Sequence, residues 1–223
     1  MDTRKYVIGI DFGTDSVRAL IVATDNGQEI ASCVSAYRRW SDGLYCNPKL
    51  NQYRQHPLDY IESLTEAVTG ALAQCDSCVS DGVVGLSFDC TASTPVLTDC
   101  TGTPLALLPE YAENPDAMFI LWKDHTAIAE SDKINEVAKR WHTDYTRYGG
   151  GNHSCEWVWA KMLHSLRVAP HLREKAYSWM EHCDWISALL AGDTTPERIA
   201  RSRCAAGHKA MWHEEWGGMP EWE

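Results

Sequence analysis

The N-terminal part of the chain alternates short apolar runs with tight polar turns, a pattern typical of β-strands. Tyr6 to Ile10 is apolar and rich in β-branched side chains, and Arg18 to Ala23 repeats that pattern. The corner between them, Asp11 to Ser16, carries hydroxyl and carboxylate side chains around one glycine. Asp25-Asn26-Gly27 is a hairpin signal because Asn-Gly tolerates positive φ angles. With a third strand over Glu29 to Trp40, the sequence predicts an antiparallel three-stranded meander.

After a predicted polar loop over residues 41–57, the spacing of the apolar residues changes from that of a strand to that of a helix. Apolar residues recur at helical spacing from Pro57 to about Gln74, so one helical face is apolar. Val83 to Phe88 and Thr94 to Thr98 then predict two further strands, and Leu105 to Leu108 is able to pair back. The order so far is therefore β-β-β-α-β-β.

The second half of the chain is predicted to be largely helical. Ser131-Asp132 is a good N-cap and predicts a break in the first of these helices. Thr195-Pro196-Glu197 predicts one more helical turn. The predicted helices cover residues 121–141, 154–168, 170–180 and 184–191.

Charge and hydropathy exclude several classes of partner. The formal net charge is −11, which argues against nucleic acid because such a partner needs a basic face. The apolar runs are about as long as strands and far shorter than a membrane span, and no secretory signal is visible. The sequence therefore predicts a cytoplasmic protein with no nucleic-acid or membrane partner.

The nine cysteines are interpreted as reduced cytosolic thiols. Cys75 and Cys78 form a C-x-x-C pair, but a zinc site needs a second ligand pair, which Cys90 and Cys100 do not supply. The favoured interpretation is a pair of thiols at a helix end.

The corner from Asp11 to Arg18 fills the pattern D-x-G-T-x-S-x-R and resembles the first phosphate motif of the FGGY carbohydrate kinases, within the actin-like ATPase superfamily. Taken alone, such a polar corner is more often only a turn. The resemblance implies an α/β, ribonuclease H-like domain, whose mixed β-sheet has three antiparallel N-terminal strands flanked by helices. It also implies that Asp11 holds Mg²⁺ through water, and that Gly13, Thr14 and Arg18 face the phosphates of ATP.

A second stretch, Ser87 to Thr94, follows a predicted buried strand, where ligands of α/β sheets gather. It resembles the sugar-contacting loop of the same family and implies that Cys90, Thr91 and Ala92 contact the substrate. Without the resemblance, a polar turn capped by Asp89 is an equally good interpretation.

Three later stretches strengthen the resemblance to the branch of that family that acts on L-ribulose. In Leu121 to Ala127, Asp124 is expected to have a structural role, capping or pairing near the sugar loop. Gly149 to Trp157 is the second stretch that resembles this branch. Ser202 to Trp212 is the most specific, and there Lys209 offers a positive charge with three donors for a sugar oxygen. The alternative for Lys209 is an ordinary solvated side chain.

The resemblance implies transfer of the γ-phosphoryl group of ATP to the C5 hydroxyl of L-ribulose, a step of L-arabinose catabolism. Residues 1–223 are expected to be an incomplete N-terminal domain, with the catalytic Asp and the C-terminal nucleotide-binding domain beyond Glu223. The fragment alone is expected to be inactive. Another pentulose kinase such as a xylulokinase, a non-catalytic sugar-binding module of the same fold, and a homodimer are all left open.

Overall fold

The computed structural model describes residues 4–216, and over this range nine short strands alternate with seven α-helices. In chain order they are β1 (Tyr6–Phe12), β2 (Ser16–Ala23), β3 (Glu29–Ala36), α1 (Arg38–Ser41), β4 (Cys46–Asn47), β5 (Gln52–Gln55), α2 (Pro57–Leu72), α3 (Ser77–Asp81), β6 (Val83–Cys90), β7 (Pro95–Thr98), β8 (Phe119–Ile120), α4 (Ile128–Ala138), α5 (Val158–Val168), β9 (Ser178–Glu181), α6 (His182–Ala191) and α7 (Arg203–Lys209). None of the helices within residues 4–216 has the length and apolar character needed to cross a membrane.

The chain forms two compact units, and the first contains the N-terminal meander. This unit comprises the chain up to Leu44 together with His56–Thr91. Its sheet has the strand order β3-β2-β1-β6. β1 and β3 pair antiparallel with β2, whereas β6 runs parallel to β1. The predicted mixed sheet with three antiparallel N-terminal strands is therefore confirmed.

One face of this sheet is buried because its strands alternate and α2 packs against β2 and β3. Ile8, Ile10 and Phe12 point into this core and are at most 5% exposed. Tyr60 of α2 meets the edge of the Phe12 ring at a centroid distance of 6.2 Å. The helix begins where predicted, with Pro57 at its first position and the His56 ring accepting a hydrogen bond from the Leu58 amide.

The second unit comprises Tyr45–Gln55 and the chain from Ala92 onward. It holds two small antiparallel sheets, one with the order β4-β5-β8 and one that pairs β7 with β9. A buried apolar cluster lies among these strands and α5; its largest fully buried members are Leu105, Met118, Ile120 and Leu172.

Two predictions around β3 to β5 are corrected by the structure. The third strand ends at Ala36 rather than Trp40, because α1 follows at once. The predicted polar loop over residues 41–57 contains β4 and β5. β5 is held because the Arg54 side chain is fully buried and pairs with Asp124. A buried arginine of this kind cannot be recognised from local polarity.

The helix predicted over residues 121–141 is wrong at both ends, since only Ile128–Ala138 is α-helical. Asp124 accepts hydrogen bonds from the amide and hydroxyl of Thr126, which holds residues 124–126 in a turn. The predicted break at Ser131 is also wrong, because Ser131 lies inside α4 and its hydroxyl donates to the Ile128 carbonyl.

The helix predicted over residues 170–180 is replaced by a 3-10 turn, Pro170–Glu174, and by β9. β9 forms because its residues pair with β7 and bury Met180 and Glu181. Leu105–Leu107 is likewise a 3-10 turn rather than a strand, and the helix expected from Ser154 begins at Val158. Residues 195–198 form a turn, as predicted.

Candidate functional site

The corner between β1 and β2 is a tight hairpin closed by backbone contacts. The Gly13 amide donates to the Ser16 carbonyl at 3.0 Å. A Cβ atom on Gly13 would lie 3.3 Å from that carbonyl oxygen, so the corner favours glycine. The Tyr37 hydroxyl donates to the Gly13 carbonyl at 3.2 Å. Burial raises the pKa of Tyr37, which keeps its hydroxyl a donor to this corner.

Asp11 and Arg18 face each other across this hairpin. They are cross-strand partners in the β1–β2 register, and Arg18 Nη1 donates to Asp11 Oδ2 at 2.8 Å. Both side chains are about half exposed, at 44% for Asp11 and 56% for Arg18. The pair is therefore open to solvent and to a ligand, and it contributes little to stability.

Asp89 of β6 joins this pair from the other side of β1. It lies opposite Asp11 in the parallel β1–β6 register. Burial raises the pKa of Asp89, and the charge of Asp11 and a hydrogen bond between the two carboxyl groups raise it further. Sequence reasoning treated Asp89 only as a cap. The signal that identifies it is its position at the carboxyl end of the strand beside β1.

The three charged residues line a groove of about 590 Å³ on the sheet face opposite α2. Gly9, Leu20 and Val34 also line this groove. Gly9 has no side chain, and a Cβ atom added there would have no neighbouring atom within 4 Å. The floor of the groove is therefore open backbone.

The donor set of this groove fits Mg²⁺, which prefers carboxylate oxygens and is commonly held by one or two of them together with water and phosphate. Two adjacent carboxyl groups, one with a raised pKa, form a position where a divalent cation would relieve repulsion. Within residues 4–216, no group of three or more His, Cys, Asp or Glu side chains is arranged to hold a metal. Protein ligands for Mg²⁺ here would therefore be Asp11 and Asp89.

The predicted sugar loop follows directly from β6. Cys90 ends the strand and is half-buried, and the Thr91 amide donates to the Phe12 carbonyl at 3.3 Å. The Ala92–Ser93 peptide bond is cis. Ser93 is buried, and its hydroxyl donates to Glu181 of β9.

A buried lysine, which sequence reasoning missed, also contacts this loop. Lys161 of α5 is fully buried, and its Nζ donates to the carbonyl oxygens of Ser93 at 2.8 Å and Leu121 at 2.9 Å. Burial lowers the pKa of Lys161, and the negative charge of Glu181 opposes that effect. The sequence around Lys161 predicts an amphipathic helix, but only the fold shows that the helix face carrying Lys161 is buried.

Asp124 has the structural role that the sequence predicts. It is fully buried and forms an ion pair with Arg54, and its Oδ2 also accepts the Tyr53 amide at 2.7 Å. Asp116, which is partly exposed, contacts the same guanidinium at 3.3 Å. Asp124 therefore joins β5 to the stretch that follows β8.

Lys209 lies in the last turn of α7. Ser202 caps the helix by accepting the Ala205 amide, and Asp184 accepts the Ser202 amide at 2.8 Å. Lys209 is half-buried, and no carboxylate within residues 4–216 forms an ion pair with it.

The Gly149 to Trp157 stretch and the Ser202 to Trp212 stretch meet in space. The rings of Trp157 and His208 pack edge to face at 4.8 Å. A Cβ on Gly149 would lie 3.1 Å from the Trp157 ring, so this glycine permits the close approach. His213 stacks on Tyr148 at 4.7 Å, which adds a second aromatic contact between the two stretches and their flanks.

The structure divides the predicted site residues between its two units. Ala92 and Lys209 belong to the second unit. The first unit brings together the other predicted positions, Asp11, Gly13, Thr14, Arg18, Cys90 and Thr91, at one end of β1, β2 and β6.

The sequence is similar to curated ribulokinases over nearly its whole length. It is 52% identical to the ribulokinase of Vibrio parahaemolyticus over 226 residues, which cover 99% of this chain and 40% of the relative. It is 38% identical to that of Halalkalibacterium halodurans, over 96% of this chain and 38% of the relative. The chain thus spans about two fifths of the length of these relatives. No protein-family model matches it.

Solved structures show the same fold at low sequence identity. The xylulose kinase of Bifidobacterium adolescentis matches with a TM-score of 0.67 and 16% identity, over 92% of this chain and 39% of that protein. The glycerol kinase of Plasmodium falciparum with ADP matches with a TM-score of 0.61 and 12% identity, over 93% of this chain and 41% of that protein. These likenesses and the mixed sheet confirm the predicted actin-like fold. In sequence, the chain is similar to about two fifths of the length of the curated ribulokinases, and its fold is that of the sugar kinases.

Proposed function

We propose that this chain provides the sugar-binding part of a ribulokinase, which transfers the γ-phosphoryl group of ATP to the C5 hydroxyl of L-ribulose. The observation that carries the proposal is the 52% identity to the Vibrio parahaemolyticus ribulokinase over 99% of this chain. The likeness to xylulose kinase is distant, at 16% identity, and does not favour D-xylulose as the substrate.

In this proposal the β1–β2 corner faces the phosphates of ATP. Gly13 carries no side chain, which lets a phosphate approach the corner closely, and the hydroxyl of Thr14 would donate to it. Arg18 adds a cation that is about half exposed and that, among residues 4–216, pairs with Asp11. Asp11 and Asp89 would hold Mg²⁺, which neutralises charge on the phosphates when it is bound.

The sugar would contact Cys90, Thr91, Ala92 and Lys209. The half-buried ammonium of Lys209 makes no ion pair within the described residues, so its donors are available to a sugar carbonyl or hydroxyl. Phosphoryl transfer also needs a base for the attacking hydroxyl. We assign that base to no residue of this chain.

Two measurements test the proposal. In titration calorimetry with L-ribulose, D-ribulose and D-xylulose, we expect the 223-residue chain to bind L-ribulose most tightly. A chimaera, in which this chain replaces the 226 aligned residues of the Vibrio parahaemolyticus enzyme, is expected to release ADP only when L-ribulose is present. The unmodified chain is expected to release none.

Lys209→Met tests the assignment of the sugar contact, and Lys175→Met is its matched control because Lys175 is exposed. We expect only Lys209→Met to weaken L-ribulose binding. If the chain binds D-xylulose more tightly than L-ribulose, D-xylulose replaces L-ribulose as the proposed substrate. If the chimaera binds sugar but does not turn it over, a non-catalytic sugar-binding module is favoured instead.

A further inference from the structure

The sugar loop depends on backbone position more than on side chains at its centre. Ala92, the proposed contact, carries only a methyl group, so it can contribute to recognition mainly through where its backbone lies. Ser93 follows it and is 2% exposed. Contacts that hold the backbone of Ser93 and Thr94 in place therefore also determine where the backbone of Ala92 lies.

A buried cation holds this segment from α5. The Lys161 ammonium has three donors, and three carbonyl oxygens accept them. These belong to Ser93 at 2.8 Å, Leu121 at 2.9 Å and Ile120 at 3.3 Å. Lys161 therefore ties the sugar loop to the end of β8.

A buried anion holds the same segment from β9. Glu181 accepts the Ser93 hydroxyl with one carboxylate oxygen and the Thr94 amide, at 2.8 Å, with the other. Glu181 is 2% exposed. Both of its oxygens are therefore committed to two consecutive residues of the loop.

The two charges use their hydrogen bonds on the loop rather than on each other. No ion pair within 4.0 Å joins Lys161 to Glu181, although each charge lowers the cost of burying the other. Burying a charge is expensive, and a well-packed apolar pair often serves stability as well or better. What an apolar pair could not do is fix the Ser93 carbonyl, the Ser93 hydroxyl and the Thr94 amide in one arrangement.

We propose that Lys161 and Glu181 are positioning residues that hold the backbone of Ala92 and Ser93 in the arrangement that accepts the sugar. The inference rests on the proposed function, because it takes Ala92 to be a sugar contact. It predicts that this clamp, defined as Lys161, Glu181 and their bonds to residues 93 and 94, controls sugar affinity.

The test uses Glu181→Ala and Glu181→Gln in the 223-residue chain. We expect Glu181→Ala to speed hydrogen exchange at the Thr94 amide and to weaken L-ribulose binding about tenfold, as expected for the loss of a charged hydrogen bond. Glu181→Gln keeps the shape and one accepting oxygen, so its affinity should fall between those of Glu181→Ala and the unchanged chain. Lys161→Met should weaken binding in the same way.

Val158→Ala is the matched control, because Val158 is a fully buried core residue of the same helix as Lys161. It should lower the melting temperature without changing L-ribulose affinity. Unchanged affinity in Glu181→Ala, or an equal loss in Val158→Ala, would overturn the positioning role while leaving the proposed function intact. Failure of the unchanged chain to bind L-ribulose would instead overturn the proposed function and this inference with it.

Discussion

Asp11 and Asp89 stand side by side at the carboxyl ends of two parallel strands, and burial, the charge of Asp11 and a hydrogen bond between the two carboxyl groups raise the pKa of Asp89. A protein gains nothing in stability from this arrangement. The folded state favours the protonated form of Asp89, so stability falls as the pH rises from the ordinary pKa of Asp89 to its raised pKa in the folded state. A cation bound between the two carboxylates would remove this cost in stability, so the arrangement suits a cation site.

Asn substitutions test this cation site. We expect Asp11→Asn and Asp89→Asn each to weaken binding of Mn²⁺, used as a paramagnetic substitute for Mg²⁺, about tenfold, or about 1.4 kcal/mol. Asp89→Asn should also reduce the loss of stability with rising pH, and part of that loss should persist because burial raises the pKa of Glu181 and Asp184 too. Electron paramagnetic resonance titration measures the first effect, and urea unfolding at several pH values measures the second. Asp81→Asn, an exposed carboxylate of the same unit, is the control; equal losses in all three variants would refute the assignment.

The sequence predicts the first unit better than the second, and the reason is the range of its contacts. The meander follows from period-2 alternation and an Asn-Gly turn, both of which act over a few residues. β1, β2 and α2 therefore form close to their predicted bounds. The Asp11–Asp89 relationship, in contrast, needs a parallel pairing across more than seventy residues, which no local pattern contains.

The predictions failed in the second unit where buried polar side chains decide the local structure. Arg54 lies in a strand where a loop was predicted, and Asp124 lies in a turn where a helix was predicted. Both differences arise because the two side chains bind each other although they are 70 residues apart in the sequence. Residues 178–180 lie in β9, which ends at the buried Glu181, where a helix was predicted. Helical periodicity was present in the last two of these stretches, but tertiary pairing overrode it.

The Arg54–Asp124 pair gives a prediction about stability. Asp124→Asn would leave the fully buried guanidinium of Arg54 without its principal counter-charge, and we expect a loss of about 3–5 kcal/mol in the free energy of unfolding. Asp116→Asn removes the partly exposed partner of the same guanidinium and should cost clearly less. Urea unfolding of both variants measures the difference. Similar losses would show that burial of the counter-charge does not govern this pair.

Arg18 gives the opposite prediction, a residue that matters for ligand and little for stability. Its pair with Asp11 is half exposed, so Arg18→Ala should change the free energy of unfolding by less than about 1 kcal/mol. The same variant should weaken ATP binding, and high salt should reduce the difference from the unchanged chain. Arg38→Ala is the control, because it removes another exposed pair of the same unit, with Glu66. Equal ATP affinity in both variants would exclude Arg18 from the phosphate site.

The buried ring of His182 predicts how the second unit responds to acid. Burial against Phe119 and Trp185 lowers the pKa of His182 to about 3. The unfolded chain takes up a proton near its ordinary pKa of about 6.5, whereas the folded chain does not until about pH 3. Stability should therefore be complete above about pH 6.5 and fall by up to about 1.4 kcal/mol per pH unit below it.

His182→Phe removes this titration and keeps an aromatic ring among Phe119 and Trp185. We expect it to flatten the fall in unfolding free energy between pH 6.5 and pH 4, measured by urea unfolding followed by tryptophan fluorescence. Burial lowers the pKa of His153 to about 3 in the same way, so part of the slope should persist in this variant. His142→Asn, a change at an exposed histidine, should leave the slope as it is. An identical slope in His182→Phe and the unchanged chain would mean that His182 is already protonated in the folded state or that its burial is relieved by local opening.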